Sequence, residues 1–227
     1  MSGMLKQRFL VLLTASVLLL LTLGIVDSFP DLNRRAASVV VVIVLAAVLL
    51  SAVYAVSVER RHFFRVGALA ILTTAFHALR IALGEQVVVG VTTHCLGGAT
   101  FLYVIVLMIK HLFVVRQVTF DTLCASVCVY LVIGMMWANA YDLLELLQEQ
   151  PFSRGLRVAT LDSTYYSLVT LSTLGYGDVA PLTPVAQMLC VVEAVAGQLY
   201  IAVLVARLVS LHLVRSEKDG GSAQESF

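Results

Sequence analysis

The sequence carries very little charge for its length. Only 13% of its 227 residues are charged and 60% are hydrophobic, with a mean hydropathy of +0.96. Soluble domains average about 25% charged residues. The net charge at pH 7 is +1, so the sequence lacks the concentrated basic charge of a nucleic-acid-binding protein, and we expect no nucleic-acid partner. This composition excludes an ordinary soluble domain and predicts an all-α integral membrane protein embedded in a lipid bilayer.

The sequence also lacks the residue patterns of an enzyme or a metalloprotein. Its five histidines are scattered without metal-ligand spacing, and no serine lies in a nucleophile elbow. All four cysteines fall inside apolar runs, which is typical of small buried side chains and not of a disulfide framework or a zinc site. They are Cys95, Cys124, Cys128 and Cys190. We therefore predict no enzymatic activity and no cofactor.

Long apolar runs fill most of the chain. At about 1.5 Å per residue, a run of roughly 20 residues crosses a bilayer core. We predict six transmembrane helices at residues 9–26, 36–58, 66–83, 87–109, 120–140 and 184–214. A signal peptide is the alternative for the first run, because Lys6 and Arg8 precede it, but no small-residue cleavage site follows and we favour a retained helix.

One glycine-containing stretch interrupts these runs and follows a segment too short to span. Residues 170–178 read Thr-Leu-Ser-Thr-Leu-Gly-Tyr-Gly-Asp. Glycine accepts backbone angles that other residues resist, so ordinary and permissive positions alternate here, and successive carbonyls can point toward one axis. Such backbone is tolerated at membrane depth only where protein buries it or where it lines a water-filled path. The alternative is a glycine-rich turn between two buried helices.

The stretch resembles the selectivity-filter signature of tetrameric potassium channels. The resemblance implies that K⁺ is the permeant ion and that carbonyl oxygens replace its water shell. Leu174 stands where valine is commoner in the family, and Asp178 would lie at the outer mouth. The Thr173 hydroxyl would bind K⁺ at the inner end. The implied filter residues are Thr173, Leu174, Gly175, Tyr176 and Gly177, with the carbonyls of the first four as K⁺ ligands.

The run before the filter looks like the pore helix of the same family. We expect it to re-enter the membrane at residues 159–171, after a turret-like segment at residues 141–158. Its aromatic pair is Tyr165 and Tyr166, and Tyr176 should pack against one of them. A hydroxyl of this pair could reach Asp178 and support the filter.

The last apolar run matches the family's inner helix. Gly197 follows Asp178 by 19 residues, where the family often has a hinge glycine. The resemblance implies that one face of the helix lines a water-filled cavity and ends in an apolar constriction. Ordinary helix packing explains these positions equally well. The cavity positions are Gln198, Ile201 and Val205, and the constriction positions are Val205 and Val209.

Glu193 is an acidic residue well inside an otherwise apolar run. An ionisable group at this depth is costly and usually has a partner. Glu193 shares a helix face with Gly197, which lies four residues later. We expect a protonated carboxyl group that bonds to Thr164, Ser167 or Thr170 and supports the filter. A merely structural hydrogen bond is the alternative.

The fourth apolar run lacks the arginines of a voltage sensor. A sensor needs several arginines at every third residue, and residues 87–109 contain none. This run holds His94, for which we favour a hydrogen-bonded structural role over proton sensing. It also holds a small-residue patch at residues 97–99, which is typical of close helix packing. We expect no strong voltage gating, and the short polar ends predict no soluble ligand-binding domain.

The chain divides into three predicted parts. A four-helix domain occupies residues 1–116, a pore domain residues 117–215, and a disordered cytoplasmic tail residues 216–227. One pore loop supplies carbonyls from one direction only, so enclosing an ion path requires a homotetramer. Two rival functions are a poorly selective monovalent cation channel, suggested by Leu174, and a non-conducting accessory membrane subunit.

Basic residues are distributed unequally between the two sides of the predicted membrane. Ten lie on the side of the termini and five on the other, which places both termini in the cytoplasm and the filter mouth outside. The stretch at residues 193–200 is bacterial in style, so we expect a prokaryotic inner membrane. The ten are Lys6, Arg8, Arg60, Arg61, Arg65, Lys110, Arg116, Arg207, Arg215 and Lys218, and the five are Arg34, Arg35, Arg80, Arg154 and Arg157.

Overall fold

The structure is a computed structural model that describes residues 8–28, 34–56, 60–83, 86–115, 119–156 and 161–224. Within these ranges the chain is helical, apart from short connections and one isolated β-bridge between Phe152 and Pro181. The predicted all-helical architecture is therefore confirmed for the described residues. The helices are α1 (Arg8–Ser28), α2 (Arg34–Val56), α3 (Arg60–Leu83), α4 (Val87–Val114), α5 (Phe120–Leu147), α6 (Leu161–Leu171) and α7 (Pro184–Gln224).

Five of the described helices are long and apolar enough to cross a membrane. Their apolar segments are Arg8–Ile25, His62–Leu83, Val87–Val114, Phe120–Leu147 and Pro184–Leu211. α2 has 23 residues, but its described apolar segment is the shorter Val42–Ala55, so the sixth span stays a prediction. α6 has 11 residues and is too short to span, as the sequence indicated.

The first five helices share one hydrophobic core. Helices adjacent in the chain pack together from α1 to α5, and α1 also packs against α5. One buried residue from each helix illustrates this core: Leu12, Val48, Val66, Val104 and Val129. The boundary predicted after residue 116 therefore falls between helices that are packed together, because α5 contacts both α4 and α1. Residues 116–118 themselves lie outside the described residues.

The last two helices are arranged differently. α6 packs on α5, and α7 packs on α6 and α5. A second, smaller core lies where these helices meet the outer loops, and it includes Tyr141, Phe152, Tyr166 and Val179. Only 11% of the segment Pro184–Leu211 is buried within the chain. Most of α7 therefore presents an apolar surface that the chain itself does not cover.

Two helices extend into segments that we predicted to be irregular. α5 continues to Leu147, so residues 141–147 are helical and do not belong to a turret. The reason is that Tyr141, Asp142 and Leu144 are buried, which continues the buried face of the helix. α7 continues to Gln224, where a disordered tail was predicted, and no proline interrupts residues 185–224.

The other long helices begin and end up to six residues from their predicted bounds. α3 starts at Arg60, six residues before its predicted start, and α4 ends at Val114, five residues beyond its predicted end. Residues 84–85, between the third and fourth predicted helices, and the expected start of the pore helix at residues 159–160 lie outside the described residues.

Hydroxyl groups cap the two long helices that flank α6. The Thr119 hydroxyl accepts a hydrogen bond from the Thr122 amide at 3.2 Å and begins α5. The Thr183 hydroxyl accepts one from the Ala186 amide at 3.3 Å, with Pro184 in the first turn of α7. Threonine followed by proline is a typical residue order at the start of a helix. Both caps fix where the helices around α6 begin.

Candidate functional site

The N-terminal end of α6 is held by polar contacts with its surroundings. Arg154, in the segment between α5 and α6, donates to the Asp162 carboxylate at 2.9 Å. Asp162 lies in the first turn of α6, where a negative charge also interacts favourably with the helix dipole. Ser163 donates to the buried carboxylate of Asp142 on α5. These contacts fix the outer end of the short helix.

The C-terminal end of α6 packs closely against a glycine of α5, Gly134, and a glycine of α7, Gly197. A Cβ atom on Gly134 would lie 2.6 Å from the end of the Leu168 side chain, and one on Gly197 would lie 2.3 Å from the Leu171 carbonyl oxygen. The second contact is with backbone, so no side-chain rotation relieves it. Gly197 therefore permits α7 to approach the end of α6. Its hinge role stays a prediction.

The stretch after α6 alternates between residues with positive φ and residues without it. We call residues 173–177 the candidate filter. The φ angles of Thr173, Gly175 and Gly177 are +58°, +56° and +77°, whereas Leu174 and Tyr176 between them are not in the positive region. Alternating handedness turns successive carbonyls toward the same side. The sequence analysis predicted alternation at the two glycines. It did not predict the positive φ of Thr173.

The amide groups of the candidate filter bond back to α6. The Thr173 amide donates to the Thr170 carbonyl at 2.9 Å, and the amides of Leu174 and Gly175 donate to the Val169 carbonyl at 3.0 and 3.4 Å. These bonds satisfy carbonyls at the end of α6 that have no partner inside the helix. Because the amide hydrogens of residues 174 and 175 face α6, the carbonyl oxygens of Thr173 and Leu174, which belong to the same trans peptide groups, point away from α6 and remain available for a ligand.

Tyr176 packs against the first member of the predicted aromatic pair. The rings of Tyr165 and Tyr176 are stacked, with 6.5 Å between centroids and an interplanar angle of 7°. Tyr165 is therefore the member of the pair that packs against Tyr176, and a contact between its hydroxyl and Asp178 stays a prediction.

The second member of the pair has a different environment. Tyr166 is buried and meets Tyr141 and Phe152 edge to face, with centroid distances of 5.1 and 5.0 Å. Its hydroxyl lies 2.9 Å from the Cys190 sulfur on α7. Tyr166 thus joins α6 to α5 and α7 and does not contact Tyr176 directly.

The loop after the candidate filter is paired with the segment that precedes α6. The Ser153 amide donates to the Ala180 carbonyl, and the Leu182 amide donates to the Pro151 carbonyl, both at 2.8 Å. The Ala180 amide returns a bond to the Ser153 hydroxyl at 2.9 Å. The two loops are therefore tied to each other, a few residues beyond the end of the candidate filter.

Glu193 is fully buried at the junction of α5, α6 and α7. Its Oε1 atom lies 2.5 Å from the Ser167 hydroxyl, and its Oε2 atom accepts a hydrogen bond from the Tyr141 hydroxyl. Ser167 is one of the three hydroxyl partners that the sequence suggested. Tyr141 was not foreseen, because residues 141–158 were assigned to an irregular turret. The carboxyl group thereby joins all three helices.

The Ser167 hydroxyl has two acceptors within reach. Its oxygen lies 2.5 Å from Glu193 Oε1 and 2.7 Å from the Gly134 carbonyl oxygen. The hydroxyl supplies one hydrogen and the Gly134 carbonyl supplies none, so a protonated Glu193 carboxyl group would give each contact its own hydrogen. The neutral acid that the sequence suggested stays a prediction.

The predicted cavity and constriction positions lie on surface that the chain leaves exposed. The Gln198 amide nitrogen lies 3.2 Å from the Thr173 hydroxyl oxygen, so the first position faces the inner end of the candidate filter. Ile201, Val205 and Val209 continue along α7, each at least 40% exposed. A constriction at Val205 and Val209 stays a prediction.

Arg207 was overlooked as a site residue. Its guanidinium group donates to the Val115 carbonyl at 2.9 Å, immediately after α4, and lies 4.5 Å from the centre of the Phe113 ring. The contact links the end of α4 to the part of α7 that carries Val205 and Val209. The sequence analysis had counted this arginine only as a cytoplasmic charge.

His94, on α4, has hydrogen-bonding partners on α3 and α5. It is buried, its Nδ1 atom lies 3.0 Å from Asn139 Oδ1, and Asn139 donates to the His94 carbonyl at 2.8 Å. Arg80 donates to His94 Nε2 at 3.1 Å. Gly97 lies against the same asparagine, since a Cβ there would be 2.9 Å from Asn139 Oδ1. Both the hydrogen-bonded histidine and the close packing at the small-residue patch agree with the sequence-based expectation.

Comparison with known proteins points to one class of protein for this site. Residues 118–212 match a protein family described as ion channel. A segment of 50 residues is 40% identical to Two-pore potassium channel 4 of Arabidopsis thaliana. That alignment covers 22% of this chain and 18% of the relative, so it spans less than a fifth of the plant protein. No solved structure matches the chain.

These matches support an ion channel. The family match begins just before α5 and ends within α7, so it contains α6, the candidate filter and Glu193. The first four helices lie outside it. The matches point to a non-enzymatic channel, in agreement with the sequence-based prediction, and the apolar helices support an integral membrane protein.

Proposed function

We propose that the protein is a potassium-selective channel that conducts K⁺ through the carbonyl groups of the candidate filter. The observation that carries the proposal is the alternation of positive φ at Thr173, Gly175 and Gly177. This backbone presents one carbonyl after another to the same side, as a row of cation ligands requires. The ligands would be the carbonyls of Thr173, Leu174, Gly175 and Tyr176, with the Thr173 hydroxyl at the inner end.

The hydrogen bonding of this stretch supports a cation as the ligand. Three successive amides, from residues 173 to 175, donate to carbonyls of α6. The positive ends of these peptide dipoles therefore point away from the ion path and the negative ends toward it. A permeating cation would exchange its hydration shell for these oxygens.

A homotetramer completes the site in this proposal. One chain supplies oxygens from one direction, and an ion needs them from several, so four copies around one axis would enclose the path. The exposed apolar surface of α7 supports this assembly, because a large uncovered apolar area marks a contact with another protein or with lipid. We place the tetramer in a prokaryotic inner membrane, with both termini in the cytoplasm and the filter mouth outside.

We expect this channel to respond weakly to voltage. Moving one elementary charge across 100 mV is worth about 2.3 kcal/mol, and steep gating uses three or four such charges per subunit. Between Val87 and Ile109, α4 contains neither arginine nor lysine. The proposed channel therefore lacks the usual carrier of gating charge.

Two glycine substitutions test whether conduction requires the backbone conformation of the candidate filter. In both Gly175 and Gly155 an added Cβ has no atom of the chain within 4 Å, but only Gly175 has a positive φ. Gly175→Ala therefore strains the backbone without a clash in the chain, and Gly155→Ala is the matched control. Proteoliposomes with the wild type or Gly155→Ala should take up Rb⁺ and K⁺ and largely exclude Na⁺, and Gly175→Ala should lose this selective uptake.

The same assay separates the rival functions. Equal uptake of Na⁺ and K⁺ by the wild type would identify a poorly selective cation channel, as Leu174 suggested. No uptake of either ion would favour a non-conducting accessory subunit. Unchanged selective uptake in Gly175→Ala would show that the positive φ at this position is not required, and the argument from backbone conformation would fail.

A further inference from the structure

Gln198 makes a side-chain contact with the candidate filter from the inner helix. It lies on α7, one residue after the glycine that lets α7 approach α6, and its Nε2 atom donates to the Thr173 hydroxyl at 3.2 Å. Thr173 is β-branched and has a φ of +58°, a conformation that such residues adopt only where surrounding contacts impose it. The contact thus reaches the most strained residue of the candidate filter.

The hydrogen bond constrains how the Thr173 hydroxyl can face an ion. A hydroxyl oxygen has two lone pairs and one hydrogen. The Gln198 amide uses one lone pair, which turns the hydroxyl hydrogen away from Gln198 and leaves the second lone pair for another partner. Without this donor the hydroxyl can rotate, and it can then turn its hydrogen toward a cation.

The neighbouring positions make Gln198 the polar member of its face. Ile201 and Val205 follow it toward the cytoplasmic end of α7, and both are apolar and exposed in the chain. A cation that moves along this face toward the candidate filter would therefore meet the Gln198 amide immediately before the Thr173 hydroxyl. The amide oxygen is a neutral dipole, of the same chemical type as a backbone carbonyl.

We propose that Gln198 is a positioning residue for the innermost ion site. Its amide N–H orients the Thr173 hydroxyl so that an oxygen lone pair faces the ion path, and four Gln198 amides form a ring of neutral oxygen ligands for a monovalent cation below the filter. The inference rests on the proposed function, because both the ion path and the fourfold ring depend on it.

Ba²⁺ is the probe for this site. It is close to K⁺ in size and carries twice the charge, so oxygen ligands that hold K⁺ hold Ba²⁺ more strongly. Applied from the cytoplasmic side to reconstituted channels, it reports the affinity of the inner end of the filter. The measurement is the Ba²⁺ concentration that halves the K⁺ current at one fixed voltage, with tetramer assembly of each variant checked by size-exclusion chromatography.

Three substitutions separate orientation of the hydroxyl from polarity of the cavity. Gln198→Leu removes the amide, and Gln198→Asn keeps an amide that is one methylene too short to make the contact. Both should raise the half-blocking Ba²⁺ concentration at least about tenfold, because a single good hydrogen bond corresponds to about that factor and a tetramer loses up to four. Gln198→Glu keeps the length and adds negative charge, so block should become at least about tenfold stronger. Leu199→Met, beside this position, should leave block unchanged.

Several results would overturn the inference. Gln198→Asn with the wild-type Ba²⁺ affinity would show that only cavity polarity matters. If Gln198→Leu and Gln198→Asn both have the wild-type half-blocking Ba²⁺ concentration, Gln198 is not part of the ion site. The same conclusion follows if Ba²⁺ blocks Gln198→Glu no more strongly than the wild type. A wild type without K⁺-selective current would overturn the proposed function itself, whereas K⁺-selective wild-type current with unaltered block in the variants would overturn this inference alone.

Discussion

Replacing Glu193 with leucine should weaken the junction of α5, α6 and α7. The carboxyl group is fully buried and accepts a hydrogen bond from Tyr141 on α5. Leucine has no acceptor, so the Tyr141 hydroxyl would keep only the Cys190 sulfur, at 3.6 Å, as a weak partner. Ser167 would keep its bond to the Gly134 carbonyl at 2.7 Å. The main loss is therefore an acceptor for one buried tyrosine.

The structure gives a magnitude for this loss. A buried hydroxyl without a partner costs about 1–3 kcal/mol. For a chain of this size, 1 kcal/mol corresponds to roughly 2–4 °C in melting temperature, so Glu193→Leu should melt roughly 2–12 °C lower than the wild type. Glu193→Gln should stay close to the wild type, because its amide can accept from Tyr141 and donate to Ser167 as the neutral acid does.

A double-mutant cycle with Tyr141→Phe isolates the interaction. If the orphaned hydroxyl causes the loss, Glu193→Leu should cost much less in a chain that already lacks this hydroxyl. The assay is thermal unfolding of the purified protein in detergent, with single-channel open probability as a second readout of filter support. The reasoning is refuted if the two substitutions are simply additive, or if Glu193→Leu matches the wild type in both melting temperature and gating.

The other predictions concern different parts of the molecule. Asn139→Ala should lower the free energy of unfolding by about 1–3 kcal/mol, because it removes both hydrogen bonds to buried His94. Thermal unfolding measures this loss, and an unchanged melting temperature would contradict it. Gly197→Ala should abolish K⁺ flux or assembly, because its Cβ would lie 2.3 Å from the Leu171 carbonyl, whereas Gly24→Ala has open space and should behave as wild type. Conductance measured between −100 and +100 mV should vary weakly with voltage, and a steep sigmoidal curve would contradict this.

The candidate filter was largely predictable because its conformation depends on residue type. Glycine at positions 175 and 177 permits the left-handed conformation, and the structure has positive φ at both. The two glycines, together with the resemblance of the surrounding residues to a known filter signature, therefore identified the stretch. Thr173 could not be recognised in the same way, because a β-branched residue adopts this conformation only when tertiary contacts impose it.

The helix ends were less predictable, because charge near a helix end was interpreted as exposure. Asp142 and Glu145 led us to end the fifth helix at residue 140, but α5 continues to Leu147. Asp142 is buried and bonded to Ser163, and Glu145 accepts a hydrogen bond from the Leu156 amide at 2.9 Å. The partner of Asp142 lies 21 residues away in the chain and the partner of Glu145 lies 11 residues away, and local sequence patterns do not reveal contacts at such separations.

Long-range polar contacts explain most of what the sequence analysis missed. Glu193 was identified because an acidic residue in an apolar helix calls for a partner. The same rule, applied to Asn139 and Arg207, would have marked the contacts with His94 and with the end of α4 as well. It would not have named the partners, which depend on how α4, α5 and α7 pack together.

The reversal potential of the purified wild-type protein tests the central claim most directly. The protein is reconstituted in a planar bilayer with K⁺ on one side and an equal concentration of Na⁺ on the other. Each tenfold preference for K⁺ shifts the potential of zero current by about 59 mV. A row of carbonyl ligands that selects K⁺ predicts a shift of at least about 59 mV in the direction of K⁺ selectivity, and a reversal potential at zero would contradict it.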